Sequence, residues 1–133
     1  MKVGIIGAGD VGQRLAKHVL STGNEVVICN SRGPETLRET VAALGSGASA
    51  GTLQEAAAQE VVILAVWWDT IPKVMEQIHD WNGRILNDAT NMLTVTAQGP
   101  RPVRLENMTG SEYVASLAKG AKVIKSFNHL FGQ

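Results

Sequence analysis

The sequence predicts an α/β domain of the doubly wound kind, with a mainly parallel sheet and helices on both faces. Three observations predict it. Short apolar runs alternate with amphipathic segments along the chain, the pattern of successive β-α-β units. One run, Glu60 to Val66, is apolar almost throughout, as in a central strand covered on both faces. A glycine-rich turn, Gly7-Ala8-Gly9-Asp10-Val11-Gly12, stands between the first apolar run and the first amphipathic segment.

Each element follows in order. Lys2 to Ile6 reads as the first strand. Asp10 to Thr22 reads as a helix, with Val11, Leu15, His18 or Val19, and Thr22 on one face. Gly23 stops it, being free to take the left-handed conformation. Glu25 to Cys29 is the second strand. Pro34 suits the first turn of a helix, where its missing N–H costs nothing, and Leu37, Val41 and Leu44 form that helix's buried stripe. Gly45 to Gly51 is rich in small residues and holds a short strand at best. Leu53 to Ala58 is a brief helix ahead of the Glu60–Val66 strand. Ile71, Val74, Met75 and Ile78 mark the next helix, with Asp69 expected to cap it. Arg84 to Asn87 is a strand entered through the Asn82-Gly83 turn. Thr94 to Asn107, polar and containing proline, reads as a loop. Thr109 and Glu112 have the spacing of a capping box before Tyr113, Val114 and Leu117. Lys122 to Ser126 is the last strand.

Composition bounds the partners. A chain of 133 residues fits one domain, and 44% hydrophobic with 18% charged residues is an ordinary globular balance. The formal net charge is zero, so bulk charge attracts neither nucleic acid nor an anionic membrane. The longest uncharged apolar run, Val61 to Trp68, is too short to span a bilayer. The lone cysteine, Cys29, permits no internal disulfide and no Cys/His metal spacing; a reducing, cytoplasmic setting and a small buried hydrophobe are expected.

The glycine turn carries the chemistry. Placed after a strand and opening a helix, G-x-G-x-x-G is the phosphate-binding turn of dinucleotide-binding domains. Gly7 permits the tight turn, Gly9 leaves room for a pyrophosphate, and Gly12 lets helix and strand pack closely. The helix start, at Asp10 and Val11, supplies free N–H groups and partial positive charge for the anion, although the Asp10 carboxylate itself must point aside. NAD-specific domains place an acidic residue at the end of the second strand. Here that place holds Asn30, Ser31 and Arg32, and a hydroxyl and a guanidinium favour the 2′-phosphate of NADP(H).

Ligands of open parallel sheets lie beyond the carboxyl ends of the strands, which draws in three further tips. At Val66-Trp67-Trp68-Asp69, one tryptophan is expected in the core and the other is free to line the ligand. At Asp88-Ala89-Thr90-Asn91, the polar groups either meet the nicotinamide half or satisfy the loop itself. At Ser126-Phe127-Asn128-His129, His129 is the one candidate acid–base group, although a lone histidine is more often structural. His18 and His79 fall within predicted helices.

Four segments resemble the coenzyme F420 (deazaflavin)-dependent NADP oxidoreductase family, whose Rossmann domain also occurs in certain ferric reductases. They are Gly4 to Gly12, Asn30-Ser31-Arg32-Gly33-Pro34-Glu35-Thr36-Leu37, Asp88-Ala89-Thr90-Asn91, and Val123-Ile124-Lys125-Ser126-Phe127-Asn128. The resemblance implies an NADP-binding Rossmann domain over residues 1–133, with Ser31 and Arg32 at the 2′-phosphate and Gly9 to Val11 at the pyrophosphate. It further implies that Val66, Trp67, Ala89 and Asn91 lie near the nicotinamide, and that hydride passes directly to a deazaflavin, flavin or other small acceptor. Positioning then supplies most of the catalysis. The chain departs from the family pattern at Trp67 and Met92, where proline is common, and in stopping five residues after Asn128, short of the C-terminal portion that family members carry. A non-catalytic NADP(H)-binding module, or a domain completed by a partner chain, is therefore the competing expectation; a hydroxyacid- or imine-type reductase is a more distant one. A homodimer is expected to cover any apolar edge left bare.

Overall fold

The computed structural model describes residues 1–126. Six parallel strands form one sheet: β1 (Lys2–Ile6), β2 (Glu25–Cys29), β3 (Ala48–Ala50), β4 (Val61–Leu64), β5 (Ile85–Asp88) and β8 (Lys122–Lys125), in the spatial order β3-β2-β1-β4-β5-β8. This is the doubly wound order, in which the direction of winding reverses between β1 and β4. The register aligns the carboxyl ends, with Ile6 opposite both Cys29 and Leu64, Leu64 opposite Asp88, and Asp88 opposite Lys125. Residues 7, 30, 65, 89 and 126 therefore emerge along one edge of the sheet.

Successive side chains of a strand face opposite ways, so the continuous apolar strands feed two cores. Ile5, Ile28 and Ile63 face α1 (Asp10–Ser21) and α2 (Arg38–Leu44), with Leu15, Ala16 and Leu37. Ile6, Val27, Cys29, Leu64 and Leu86 face the other side, with Ile71, Met75, Trp81 and Val114. That side is covered by α3 (Leu53–Ala57), α4 (Ile71–Met75) and α5 (Gly110–Leu117). Helix α3 lies so close on β1 that a Cβ at Gly4 would stand 1.9 Å from the Ala56 carbonyl oxygen. Both α3 and α5 begin with a capping box, at Thr52/Glu55 and Thr109/Glu112. The Thr109 backbone N–H, and then its hydroxyl, hold the Glu112 carboxyl below its ordinary value.

Several expectations need correction. The helix opened by Pro34 begins as a 3-10 turn, Pro34–Leu37, because Asn30 and Thr36 hold the preceding loop tightly. On α1, His18 is exposed and Gly12, Leu15 and Ala16 carry the buried face, while His79 falls beyond the end of α4. The central strand closes at Leu64, leaving Val66 and Trp67 in the turn that follows. Asp69 caps nothing; it sits within the 3-10 turn Trp68–Thr70 and accepts a hydrogen bond from the Thr94 hydroxyl at 2.5 Å.

The largest difference lies in the segment read as a loop. Leu93–Thr96 and Gly99–Pro102 form an antiparallel hairpin, β6 and β7, apart from the main sheet. Proline removes a ladder donor and is confined to strands with a free edge. A two-stranded ribbon consists of edges alone, so Pro100 and Pro102 are tolerated.

Candidate functional site

The glycine turn closes the β1 edge as its spacing predicts. Gly7 has φ +114°, and a Cβ there would lie 2.2 Å from the Ala65 carbonyl oxygen and 3.2 Å from Val66 Cγ1. Only glycine fits that combination of left-handed backbone and crowding. Its N–H donates to the Cys29 carbonyl at 3.0 Å, tying the turn to β2. A Cβ at Gly12 would meet the Gly7 carbonyl oxygen at 2.0 Å, which sets how closely α1 approaches the turn. Gln13 Nε2 donates to the Ala8 carbonyl at 2.8 Å and braces the turn from within the helix.

Gly9 differs from its neighbours. It is the N-cap of α1 in extended conformation, φ −80° and ψ −166°, and a Cβ there would meet nothing within 4 Å. Neither backbone strain nor packing within the described residues requires glycine here. Its lack of a side chain also leaves the first turn of this 12-residue helix without a side-chain cap. The N–H groups of that turn have no intrahelical partner, and Gly9 ahead of them is exposed. A helix start of this kind is able to receive an anion that approaches the backbone closely. Asp10 is exposed at its rim, and half-buried Val11 packs down onto the core.

One strand over, the β2 edge carries Asn30, Ser31 and Arg32. Asn30 shapes the loop: its Oδ1 accepts from the Arg32 N–H at 3.1 Å and the Gly33 N–H at 2.9 Å, and its Nδ2 donates to Thr36 Oγ1 at 2.9 Å. Thr36 in turn donates to the Gly33 carbonyl at 2.7 Å. Ser31 and Arg32 are thereby held out from the protein, both exposed, and their side chains have no partner among the described residues. The Glu35 carboxylate folds against Gly33, its Oε1 2.5 Å from where a Cβ would stand. Cys29 beneath is buried, and that burial pushes its thiol up to about 11 against a smaller opposing pull from the Gly7 backbone, so it is an inert core thiol at neutral pH.

At the β4 edge the two tryptophans divide. Trp68 is 7% exposed and stacks at a tilt on Tyr113, centroids 5.1 Å apart, whereas Trp67 is 56% exposed. At the β5 edge Ala89 is buried and Asn91 half-buried. Between them lies a network that sequence reasoning missed. Asp88 is fully buried, and its Oδ1 accepts from the Thr90 N–H at 2.9 Å and the Thr90 hydroxyl at 2.5 Å. Its Oδ2 accepts from Ser111 of α5 at 3.1 Å and from Lys125 Nζ at 3.4 Å. Lys125 Nζ also donates to the Thr90 carbonyl, and Ser126 Oγ donates to Asn87 Oδ1 at 2.7 Å. The polar groups of Asp88 and Thr90 thus serve the loop itself, one of the two roles left open by sequence. The signal available was a charged residue ending each of two apolar strands.

His129 and Asn128 lie outside the described residues. Among those described, no group of three His, Cys, Asp or Glu side chains is placed to hold a metal, and no helix is long and apolar enough to cross a membrane.

The chain is 31% identical over 133 residues to the metalloreductase STEAP3 of Rattus norvegicus, covering 96% of itself and 24% of that protein. A solved structure of a hypothetical protein from Sinorhizobium meliloti superposes with a TM-score of 0.85 at 39% identity, covering 96% of this chain and 62% of that one. A proposed F420-dependent NADP reductase from an Arthrobacter species shares the fold at TM-score 0.82 and 22% identity, covering 99% and 64%. The chain therefore spans about a quarter of the rat metalloreductase and under two thirds of either solved chain. The model of the family described as NADP oxidoreductase, coenzyme F420-dependent, matches residues 2–92, from β1 through the β5 edge. With glycine turn, β2 edge and β5 edge all inside that match, the chain belongs to the coenzyme F420-dependent NADP oxidoreductase family.

Proposed function

We propose that this domain binds NADP(H) along the carboxyl edge of its sheet and presents the nicotinamide to a second, hydride-exchanging molecule. The observation that carries the reading is Gly9. A glycine that no packing contact or backbone angle demands, at an uncapped helix start, is explained by a ligand that needs its missing side chain. The pyrophosphate lies against the first-turn N–H groups of α1. The 2′-phosphate meets the Ser31 hydroxyl and the Arg32 guanidinium, the two side chains that the Asn30 loop leaves unengaged. Val66 and Ala89 form the floor under the nicotinamide, with Trp67 and Asn91 beside it.

The bound nucleotide supplies the chemistry, since its reduced nicotinamide carries a transferable hydride. What the chain contributes is position. The rigid β1 and β4 ends orient the ring and the fully satisfied Asp88 network fixes the loop at residues 89–91; no proton needs to move for the hydride to pass. The acceptor is a deazaflavin, a flavin or another small oxidant, in line with the family to which the chain belongs and with its metalloreductase relative.

Nucleotide titration followed by nicotinamide fluorescence tests the reading. Arg32→Ala is expected to weaken NADPH by about 1.5–3 kcal/mol, the range for a hydrogen-bonded charged pair, and to leave NADH nearly unchanged. Equal losses for both nucleotides would remove Arg32 from the 2′-phosphate.

A further inference from the structure

We propose that Trp67 is the residue that selects the acceptor, its indole serving as a stacking surface for a planar, fused aromatic ring. The proposal deepens the NADP(H) reading and rests on it. The three tryptophans differ sharply in exposure. Trp68 and Trp81 are 7% and 1% exposed, whereas Trp67 shows 56% of its surface to solvent. A large indole left in water is an unfavourable arrangement for the chain alone, because aromatic side chains gain most from burial.

Its position is also fixed. The Trp67 carbonyl accepts two hydrogen bonds from Thr70, from the N–H at 3.0 Å and the hydroxyl at 2.8 Å. The next residue, Trp68, is anchored against Tyr113 in the core. The Trp67 backbone is therefore pinned while its ring stays outside. Val66, the residue before it, reaches the phosphate-binding turn, its Cγ1 3.2 Å from where a Cβ on Gly7 would stand. The Trp67 backbone thus follows directly on a residue that touches the phosphate-binding turn, at the crevice where the sheet reverses its winding.

An exposed flat π-surface in that place favours conjugated acceptors over small carbonyl compounds. Offset stacking on an indole holds a planar ring parallel to itself and contributes up to about tenfold in affinity.

Flavin mononucleotide is the probe, titrated by quenching of its fluorescence with the whole chain held at saturating NADP+, a measurement that needs no turnover. Trp67→Ala is expected to weaken the flavin about tenfold, and Trp67→Phe by about threefold or less, with the loss of NADPH affinity clearly the smaller in both, since the indole edge lies beside the nicotinamide while its face meets the flavin. Unchanged flavin affinity in Trp67→Ala overturns the proposal. So does failure of the wild-type chain to bind the flavin while binding NADPH, or a loss of NADPH as large as that of the flavin, which would assign the indole to the nicotinamide alone. Loss of a dimer in sedimentation, with flavin binding intact, would assign it to a contact between copies and likewise overturn the proposal. If wild-type protein binds no NADPH, it is the underlying cofactor reading that fails.

Discussion

Gly9 and Gly12 stand in opposite surroundings: a Cβ on Gly9 would meet nothing within 4 Å, whereas one on Gly12 would press on the Gly7 carbonyl oxygen. Gly12→Ala forces a methyl to within 2.0 Å of the Gly7 carbonyl oxygen and is expected to destabilise the fold by about 1–3 kcal/mol. Gly9→Ala meets nothing and has an ordinary φ, so its unfolding midpoint should stay level or rise slightly. Its NADPH affinity should nevertheless fall, by about tenfold or more if the methyl displaces a pyrophosphate hydrogen bond. Urea denaturation beside nucleotide titration separates the two; a destabilised Gly9→Ala with unchanged affinity would contradict the proposed pyrophosphate site. The sequence motif assigns each of the three glycines its own task, but how tightly each Cβ position is enclosed is visible only in the structure, because spacing carries no information about what surrounds it. The same holds at the β2 edge. Arg32 and Ser31 stand out by residue type, but that Asn30 shapes their loop emerges only from its hydrogen bonds.

Between β5 and β8 the decisive contact is the buried Asp88 carboxylate with Lys125. Lys125→Met keeps the aliphatic stem and removes the cation, leaving a carboxylate with no opposing charge in the core. The expected cost is on the order of 3 kcal/mol, near the lower end for a broken buried pair because Lys125 itself is a third exposed. Adding Asp88→Asn should recover part of that loss, measured as a non-additive double-mutant cycle in urea; strict additivity would show that the two groups do not interact. Apolar strands of four to five residues are readable because burial on both faces demands them, as at β1, β2 and β4. A polar ribbon such as β6–β7 is not, because cross-strand pairing rather than an apolar face defines it, and Pro100 and Pro102 argue against a strand wherever edges are scarce. Helix starts were legible at Leu53, at Thr109 from its local capping-box spacing and at Pro34 from its missing N–H, but the tighter 3-10 form of the Pro34 turn was not, because it follows from the hydrogen bonds of the Asn30 loop.

For the molecule as a whole, strand order and the line of carboxyl ends follow from the alternation of elements and the right-handed crossovers that parallel strands require. The proposed site inherits its position from that order. A ligand that binds only the folded chain raises its stability by mass action, by about 2.7 kcal/mol at a hundredfold excess over the dissociation constant, or several degrees in Tm for a chain of this size. Calorimetry with NADP+ is expected to show such a shift, and a clearly smaller one with NAD+ at the same concentration. Identical shifts would argue that the β2 edge does not discriminate.

The hydrogen bond from the Gly7 N–H to the Cys29 carbonyl has one more implication. In the proposed site it ties the pyrophosphate turn to the 2′-phosphate loop, at a spacing set by adjacent parallel strands, about 4.8 Å apart. Such a caliper cannot stretch without opening the sheet. Fragments bearing a single phosphate should each seat weakly in their own jaw, and joining them through the natural ribose should multiply their affinities, because the protein has already measured out the gap.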